Sequence, residues 1–290
     1  MARVYYVDVA IPVDRKKRKR HKTHAVFDGV RVFRVNKLTE LEDAEEIYID
    51  AMFPQNYEEI LDVIERGVKV LLLKNTRLLK RLRKKDRIRK SDENDAKLLS
   101  KMPRTCFREL TLKEVKLLQL INDYKAYSKW KRIIKQGMSL YPLNSFKECV
   151  KELRSLCRRY ARRIIREVKS DKRRAMMYEM VCRELGLKKS VEVAILVARL
   201  PLNWKLSRLK GLLGFTPRKD IGYSHGLRAN LSKLAASLYF SVRRKSSLKL
   251  FEGMDELPLN KALYILQLRI LKILKKAWQQ QRQCMLAGVQ

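Results

Sequence analysis

The sequence predicts an α/β fold: a mixed β-sheet with helices on its faces, followed by long helices and a small, mainly α-helical C-terminal domain. Over the first hundred residues, short apolar runs alternate with helical patterns. From about Leu110, glycine and proline nearly vanish, and Leu, Ile, Lys and Arg recur at helical spacing. These changes predict four regions: an α/β domain at 1–105, a basic helical coiled-coil connector at 106–185, a C-terminal domain at 186–245, and an amphipathic helix with a tail at 246–290.

The first elements are strand patterns. Val4–Ala10 is rich in β-branched and aromatic residues, which favour strands. His24–Phe27 and Val30–Val35 flank Asp28-Gly29, a dipeptide that favours a type I′ hairpin turn. A strand followed by a hairpin is therefore predicted at the start of the chain.

Two more strands and two helices complete the predicted α/β domain. Ile47–Ala51 is a short apolar strand, and Pro54–Arg66 has helical periodicity with a glycine after its end. Val68–Leu73 is apolar except for Lys69, which is typical of a strand buried on both faces. A long helical stretch is predicted from there to about Lys101. This order indicates one mixed sheet with helices on its faces.

Long helices are predicted for the rest of the chain. Helical spacing runs through Lys135 and again from Ser145 to about Leu185, which indicates helices packed as a coiled-coil hairpin. A last amphipathic helix is predicted at about Leu259–Gln281.

The chain is strongly basic, with 67 Lys and Arg against 31 Asp and Glu and a net charge of +36. A solvated surface adapted to a hot or salty habitat usually enriches both signs of charge, whereas one sign dominates here. The phosphate backbone of a nucleic acid is the partner that matches such an excess. The basic residues concentrate at Arg15–Lys22, which we expect to be an exposed loop, at Lys74–Lys90 and in the connector.

Other features exclude several classes of protein. No apolar run approaches the roughly 18 residues that a membrane span requires. Asp8 interrupts the short apolar run at the N-terminus, so the layout of a signal peptide is missing. The five cysteines lie far apart without CxxC spacing, which argues against a zinc site and a disulfide framework. We therefore expect a protein without a membrane partner, in the reducing cytoplasm and associated with the nucleoid.

Four aspartates stand out in this basic chain. Asp8 and Asp50 lie in the apolar runs VYYVDVA and IYIDAMF, where an unpaired buried charge costs several kcal/mol. Asp92 and Asp95 lie three apart in KSDENDAKLL, so a helix places them on one face with Cβ atoms about 5–6 Å apart. Together they are suited to hold two Mg²⁺ ions about 3.5–4 Å apart, the arrangement that supports phosphodiester chemistry.

Each pair also has a purely structural interpretation. Asp8 or Asp50 alone is typical of a turn at the end of a strand. Ser91 and the acids after it are typical of a helix N-cap near the positive end of the helix dipole. The occurrence of all four aspartates in one α/β order favours the metal site. Glu45 and Glu46 are second choices for the place of Asp50.

The order of these motifs resembles a known family. A strand aspartate, a second strand acid and a K-S/T-D-x-x-D-A helix, present here as KSDENDA, are similar to the RuvC-like DEDD domain of the Piv-like insertion-sequence transposases, the IS-one-ten family. Leu206–Phe240 is similar to the C-terminal transposase domain of that family, with GFTPR where the family has G-L-x-P-R. The basic helices match its coiled-coil connector, and the resemblance covers the chain to about residue 245.

The resemblance implies an RNase H/RuvC-like fold and a tetrad of Asp8, Asp50, Asp92 and Asp95 that binds Mg²⁺, with Mn²⁺ as an alternative ion. It also implies a DNA transposase that cuts and joins strands with a structured guide RNA as a partner. A serine of the C-terminal domain acts as a nucleophile in that family. Because recombination joins two DNA partners, a homodimer or homotetramer is expected.

The chain departs from the family pattern at two positions. Asp50 stands where the family has Glu, which shortens the side chain by one methylene and keeps its charge. Ile221-Gly222 stands where the family has Ser-Gly, so Ser224, with His225 beside it, is the nearest hydroxyl and the candidate nucleophile. The alternative for GYSHG is a loop whose polar residues contact phosphate or solvent.

Two other functions fit the same residues. A structure-specific nuclease that resembles Holliday-junction resolvases needs the four aspartates but not Ser224. A degenerate descendant retains nucleic-acid binding and lacks catalysis.

Overall fold

The structure is a computed structural model that describes residues 3–11, 23–140, 144–216, 222–241 and 249–287. The chain forms two compact units, Met1–Asn122 and Asp123–Gln290. The first unit thus extends past the predicted boundary at residue 105. The basic loop predicted at Arg15–Lys22 lies outside the described residues.

The described α-helices and strands follow one another in this order: β1 (Val4–Asp8), β2 (His24–Phe27), β3 (Val32–Val35), β4 (Glu46–Ile49), α1 (Tyr57–Glu65), β5 (Lys69–Leu73), α2 (Arg77–Lys85), α3 (Asp92–Ser100), β6 (Phe107–Glu109), α4 (Leu112–Leu140), α5 (Asn144–Ser170), α6 (Lys172–Glu184), α7 (Val191–Arg199), α8 (Leu206–Leu212), α9 (His225–Ser241) and α10 (Leu259–Ala287).

The described part of the first unit contains a six-stranded mixed sheet with the order β3-β2-β1-β4-β5-β6. β1 pairs antiparallel with β2 and parallel with β4, and β5 is parallel to β4 and antiparallel to β6. Parallel neighbours require a crossover connection, which α1 supplies between β4 and β5. This arrangement confirms the predicted α/β fold with a mixed sheet and adds β6 as an edge strand.

Apolar side chains cover both faces of the sheet. On one face, Tyr5 and Val7 of β1 and Ile49 of β4 belong to a core that α1 covers. On the other face, the rings of Tyr6 and Tyr48 stack with centroids 5.1 Å apart, in the core that α2 and α3 cover. Because side chains alternate along a strand, the residues that follow Val7 and Ile49 face α3.

The turn between β2 and β3 differs from the predicted type I′ turn. Residues 28–31 join the strands, and Val30 belongs to this loop, with its side chain 90% exposed. A type I′ turn needs positive φ at two residues, whereas in this loop Gly29 alone has one, +97°. The Asp28 carboxylate accepts hydrogen bonds from the N–H groups of Val30 and Arg31 at 2.8 Å, which stabilises the longer loop.

The single helical stretch predicted up to about Lys101 is wrong, since α2 and α3 are separate helices. Arg87, between them, has φ +52°, a left-handed conformation that interrupts a helix. Ser91 then begins α3, because its Oγ accepts a hydrogen bond from the N–H of Asn94 at 3.1 Å. The N-cap interpretation of Ser91 is therefore confirmed.

The described part of the second unit is helical. The part of α4 that belongs to this unit runs antiparallel to α5. The rings of Tyr127 and Tyr160 lie 5.2 Å apart, and Ser128 Oγ lies 3.7 Å from Cys157 Sγ. α5 packs on α6 and α7, and α10 packs on α6 and α9. The long helices predicted for the connector and for the end of the chain are present. None of the helices in the described ranges has both the length and the apolar character needed to cross a membrane.

Candidate active site

The carboxyl ends of β1 and β4 place Asp8 and Asp50 side by side. The strands are parallel with Val7 opposite Ile49, and the N–H of Asp50 donates a hydrogen bond to the carbonyl of Val7 at 3.3 Å. Oδ1 of Asp50 accepts a hydrogen bond from the N–H of Val9 at 2.9 Å. Both aspartates therefore lie at one edge of the sheet, on the face that α3 covers.

The first turn of α3 brings two more carboxyl groups to this face. α3 packs against β1 and β2, and it begins at Asp92. Asp95 is only 6% exposed, and its Oδ2 accepts a hydrogen bond from Nη1 of Arg83 at 3.2 Å. Asp92 lies nearer the solvent, with Oδ2 3.8 Å from Nη1 of Arg34. The structure thus brings together the four aspartates that the sequence singles out.

The pKa values show that these carboxyl groups interact. Burial, and then the negative charges of Asp50, Asp92 and Asp95, raise the pKa of Asp8 to about 8. Burial also raises the pKa of Asp50, although the hydrogen bonds from Val9 and Asp8 oppose that shift. Asp8 and Asp50 therefore share a hydrogen bond, and the environment favours the protonated form of Asp8.

Asp95 has an oxygen atom that lacks a partner. Burial raises the pKa of Asp95, although the neighbouring guanidinium of Arg83 lowers it. Oδ1 of Asp95 is buried and makes no hydrogen bond within the described residues. Because a buried carboxylate oxygen without a partner is unfavourable, this atom points to a cation as its missing partner.

The chemistry of the cluster fits a hard divalent cation. Mg²⁺ and Mn²⁺ prefer carboxylate oxygens, and all four side chains supply them. Across the described ranges, no group of three or more His, Cys, Asp or Glu side chains is already arranged to hold a metal ion. The proton on Asp8 and the ion pair between Arg83 and Asp95 stabilise the cation-free arrangement. A cation bound among the carboxyl groups competes with the proton on Asp8.

Glu45 and Glu46, the second choices for the place of Asp50, lie elsewhere in the structure. Glu46 is the first residue of β4, at the opposite end of that strand from Asp50. Its carboxylate accepts hydrogen bonds from the hydroxyl of Tyr48 at 2.9 Å and the guanidinium of Arg104 at 3.0 Å. Glu45 precedes β4 and is exposed. Asp50, and neither glutamate, is thus the β4 partner of Asp8.

A basic groove adjoins the acidic cluster. It has a volume of about 500 Å³ and is lined by Lys80, Arg83, Lys84, Arg87, Ile88 and Lys90. Arg83 also binds Asp95, so the groove reaches the carboxyl groups. The sequence marks this segment as basic, but it does not indicate that Arg83 binds Asp95, because that contact depends on how α2 packs against α3.

Ser224 belongs to the second unit, where it precedes α9. Its N–H donates a hydrogen bond to the carbonyl of Leu212 at 2.8 Å, and its carbonyl accepts one from the N–H of Arg228 at 3.0 Å. The ring of His225 packs edge-on against Tyr223, with centroids 4.1 Å apart. The backbone of Ser224 is thus fixed at the start of a helix. Ile221, at the family's serine position, lies outside the described residues.

Known proteins provide no family assignment for this chain. No protein-family model matches it, and no curated protein sequence is significantly similar to it. The acidic cluster, the groove and the net charge are therefore the observations on which a function rests.

Proposed function

We propose that the chain is a DNA transposase of the insertion-sequence type, and that its first unit is an RNase H/RuvC-like nuclease domain. The observation that carries the proposal is the cluster of Asp8, Asp50, Asp92 and Asp95 at one edge of the sheet. The strand order, with three antiparallel strands followed by parallel β4 and β5, supports the RNase H-like assignment.

The four aspartates would hold Mg²⁺ or Mn²⁺, with two ions as the expected number. When bound, the ions supply activation of the attacking oxygen and stabilisation of the leaving oxygen in phosphodiester cleavage. The chain itself orients the ligands: β1 and β4 fix Asp8 and Asp50, and the N-cap of α3 fixes the direction of that helix. Arg83, next to Asp95, is placed to attract a phosphate group.

The basic groove is suited to hold the nucleic-acid backbone beside the carboxyl groups. Its lysines and arginines neutralise phosphates and release counterions, so binding weakens as the salt concentration rises. Without such a groove, the acidic cluster would repel a phosphodiester. The position of the basic groove next to Asp95 supports a phosphodiester substrate.

The partners follow from the family resemblance and are part of the proposal. A structured guide RNA would read the target sequence by base pairing while the protein contacts backbone and shape. A homodimer or homotetramer would hold two DNA partners. The place of action would be the cytoplasm, at the nucleoid.

A structure-specific nuclease is the second candidate. One observation favours it: all four aspartates lie within the first unit, whereas Ser224 lies in the second. A nuclease of this kind needs the metal site alone, so the role of Ser224 separates the two candidates.

The proposal is tested by Mg²⁺-dependent cleavage and joining of labelled DNA that carries the ends of the element, with the guide RNA present. We expect Asp95→Asn to lower the cleavage rate about 100-fold, because it removes a charged oxygen from the cluster. The matched control is Asp86→Asn, since Asp86 is an exposed acid whose ion pair with Lys101 spans 3.5 Å at the surface. It should stay within about twofold of the wild type. Equal rates in all three proteins, or cleavage without a divalent ion, would contradict the proposal.

A further inference from the structure

Three helices of the second unit bring three cationic side chains together. Lys125 lies in α4, Arg199 is the last residue of α7, and Lys233 lies in α9. The positive charges of Arg199 and Lys233 both act on Lys125. α7 packs on α9, which fixes two of the three elements relative to each other. Lys125 is half-buried, whereas Arg199 and Lys233 are exposed. The cluster is therefore open to solvent on one side and has a lysine at its base.

This cluster is electrostatically unfavourable by itself. Burial, and then the positive charges of Arg199 and Lys233, lower the pKa of Lys125 to about 8. The two charges that act on Lys125 are both positive. Three cations held together by packed helices favour the binding of an anion.

The cluster adjoins the start of α9. Nζ of Lys125 lies 3.6 Å from the position that a Cβ atom on Gly226 would occupy, so the ammonium group is close to the backbone of the first turn. The N–H groups at the beginning of a helix also favour an anion. Gly226 lies two residues after Ser224 in the sequence. An anion bound by Lys125 would thus lie next to the loop that carries the candidate nucleophile.

We propose that Lys125, Arg199 and Lys233 form a binding site for a phosphodiester group of a nucleic acid at the start of α9. The site is separate from the acidic cluster, since it lies in the second unit and needs no metal ion. Only the presentation of this phosphodiester to Ser224 rests on the proposed transposase function. The positive side chains neutralise the phosphate, and the start of α9 fixes where the backbone lies.

The test is the binding of Lys125→Met to a short fluorescein-labelled DNA duplex and to an RNA of the same sequence, measured by anisotropy over a series of KCl concentrations. The buffer contains EDTA, so the acidic cluster does not take part. Methionine keeps the length of the side chain and removes a partly desolvated charge, so the variant should fold. We expect Kd to rise about tenfold. The slope of log Kd against log[KCl] should fall by about 0.9 for duplex DNA and by about 0.7 for single-stranded RNA.

Two further variants make the result specific. Lys131→Met removes the charge of another half-buried lysine of α4, on a different side of the helix, and should leave both quantities close to the wild type. Lys125→Arg keeps the charge and should retain the salt slope.

A loss of affinity confined to DNA or to RNA identifies which nucleic acid occupies the site, and either result supports the proposal. An unchanged slope for both nucleic acids, or equal losses in Lys131→Met and Lys125→Met, would overturn it. A protein that cleaves no DNA but shows the Lys125 effect refutes the transposase function and leaves this site standing.

Discussion

Asp8→Asn is expected to lower Mg²⁺-dependent DNA cleavage by about 10³-fold or more and, at the same time, to make the cation-free protein more stable. Cleavage falls because the amide takes away one of the charged oxygens that the cation needs. Stability rises because folding at neutral pH requires Asp8, buried among Asp50, Asp92 and Asp95, to take up a proton, whereas an asparagine does not. Residues selected for function often reduce stability in this way. Cleavage gels and urea denaturation in EDTA measure the two effects.

The pH dependence of this stability difference has a definite sign. The pKa of Asp8 is raised from its ordinary value of 3.8 to about 8 in the folded protein. Folding therefore favours the protonated form, and the contribution of Asp8 to stability is fully present below pH 3.8 and is lost as the pH rises towards 8. The advantage of Asp8→Asn over the wild type should widen from about pH 4 to about pH 8 and then level off.

Asp28→Asn is the matched control for Asp8→Asn. The hydrogen bonds that the Asp28 carboxylate accepts from the N–H groups of Arg31 and Val30 lower its pKa, the opposite direction to Asp8. Its carboxylate contributes stability above its ordinary pKa, and that contribution is lost in acid. Asp28→Asn should therefore be slightly less stable than the wild type at neutral pH and should cleave DNA normally. A destabilised Asp8→Asn that still cleaves DNA would refute the assigned role of Asp8.

Ser224→Ala is expected to lower strand joining by about 10³-fold, because it removes the candidate nucleophile, the hydroxyl nearest to the position of the family's serine. The acidic cluster belongs to the other unit, so Mg²⁺ binding should be unchanged. A covalent adduct between protein and DNA, detected on a denaturing gel, should disappear with the hydroxyl.

Ser237→Ala provides the control for Ser224→Ala. Ser237 is an exposed serine of α9, the helix that Ser224 precedes, so its loss should leave joining and the adduct unchanged. Normal joining by Ser224→Ala would show that this hydroxyl is not the nucleophile. Metal-dependent cleavage without any adduct in the wild type, at a rate that Ser224→Ala leaves unchanged, would favour the structure-specific nuclease.

The strands and the acidic cluster could be predicted because their signals are local. Asp8 and Asp50 each follow a run of β-branched and aromatic residues, and parallel pairing of those strands is enough to bring the two carboxyl groups together. The sequence also shows where Ser91 and Asp95 lie in α3, because a serine followed by acidic residues is typical of the start of a helix. Predicting the cluster therefore required only the order in which the strands pair in the sheet.

The features that were missed depend on side-chain bonding or on distant parts of the chain. The Asp28 carboxylate, which bonds two backbone N–H groups, selects a longer loop than its Asp-Gly dipeptide indicates. The left-handed conformation of Arg87 divides a stretch whose composition favours one helix. Arg199 and Lys233, the neighbours of Lys125 in the structure, lie more than 70 residues from it in the sequence. No local pattern therefore predicts that cluster.

The central claim is that the carboxyl groups at the ends of β1 and β4 and in α3 bind a divalent cation, and calorimetric titration of the nucleic-acid-free protein with Mg²⁺ tests it most directly. We predict saturable binding by the wild type, with a stoichiometry of about two ions, and loss of that binding in Asp50→Asn. Asp86→Asn, the surface control, should bind Mg²⁺ as the wild type does. No saturable binding at millimolar Mg²⁺, or the same binding in Asp50→Asn as in the wild type, would contradict the claim.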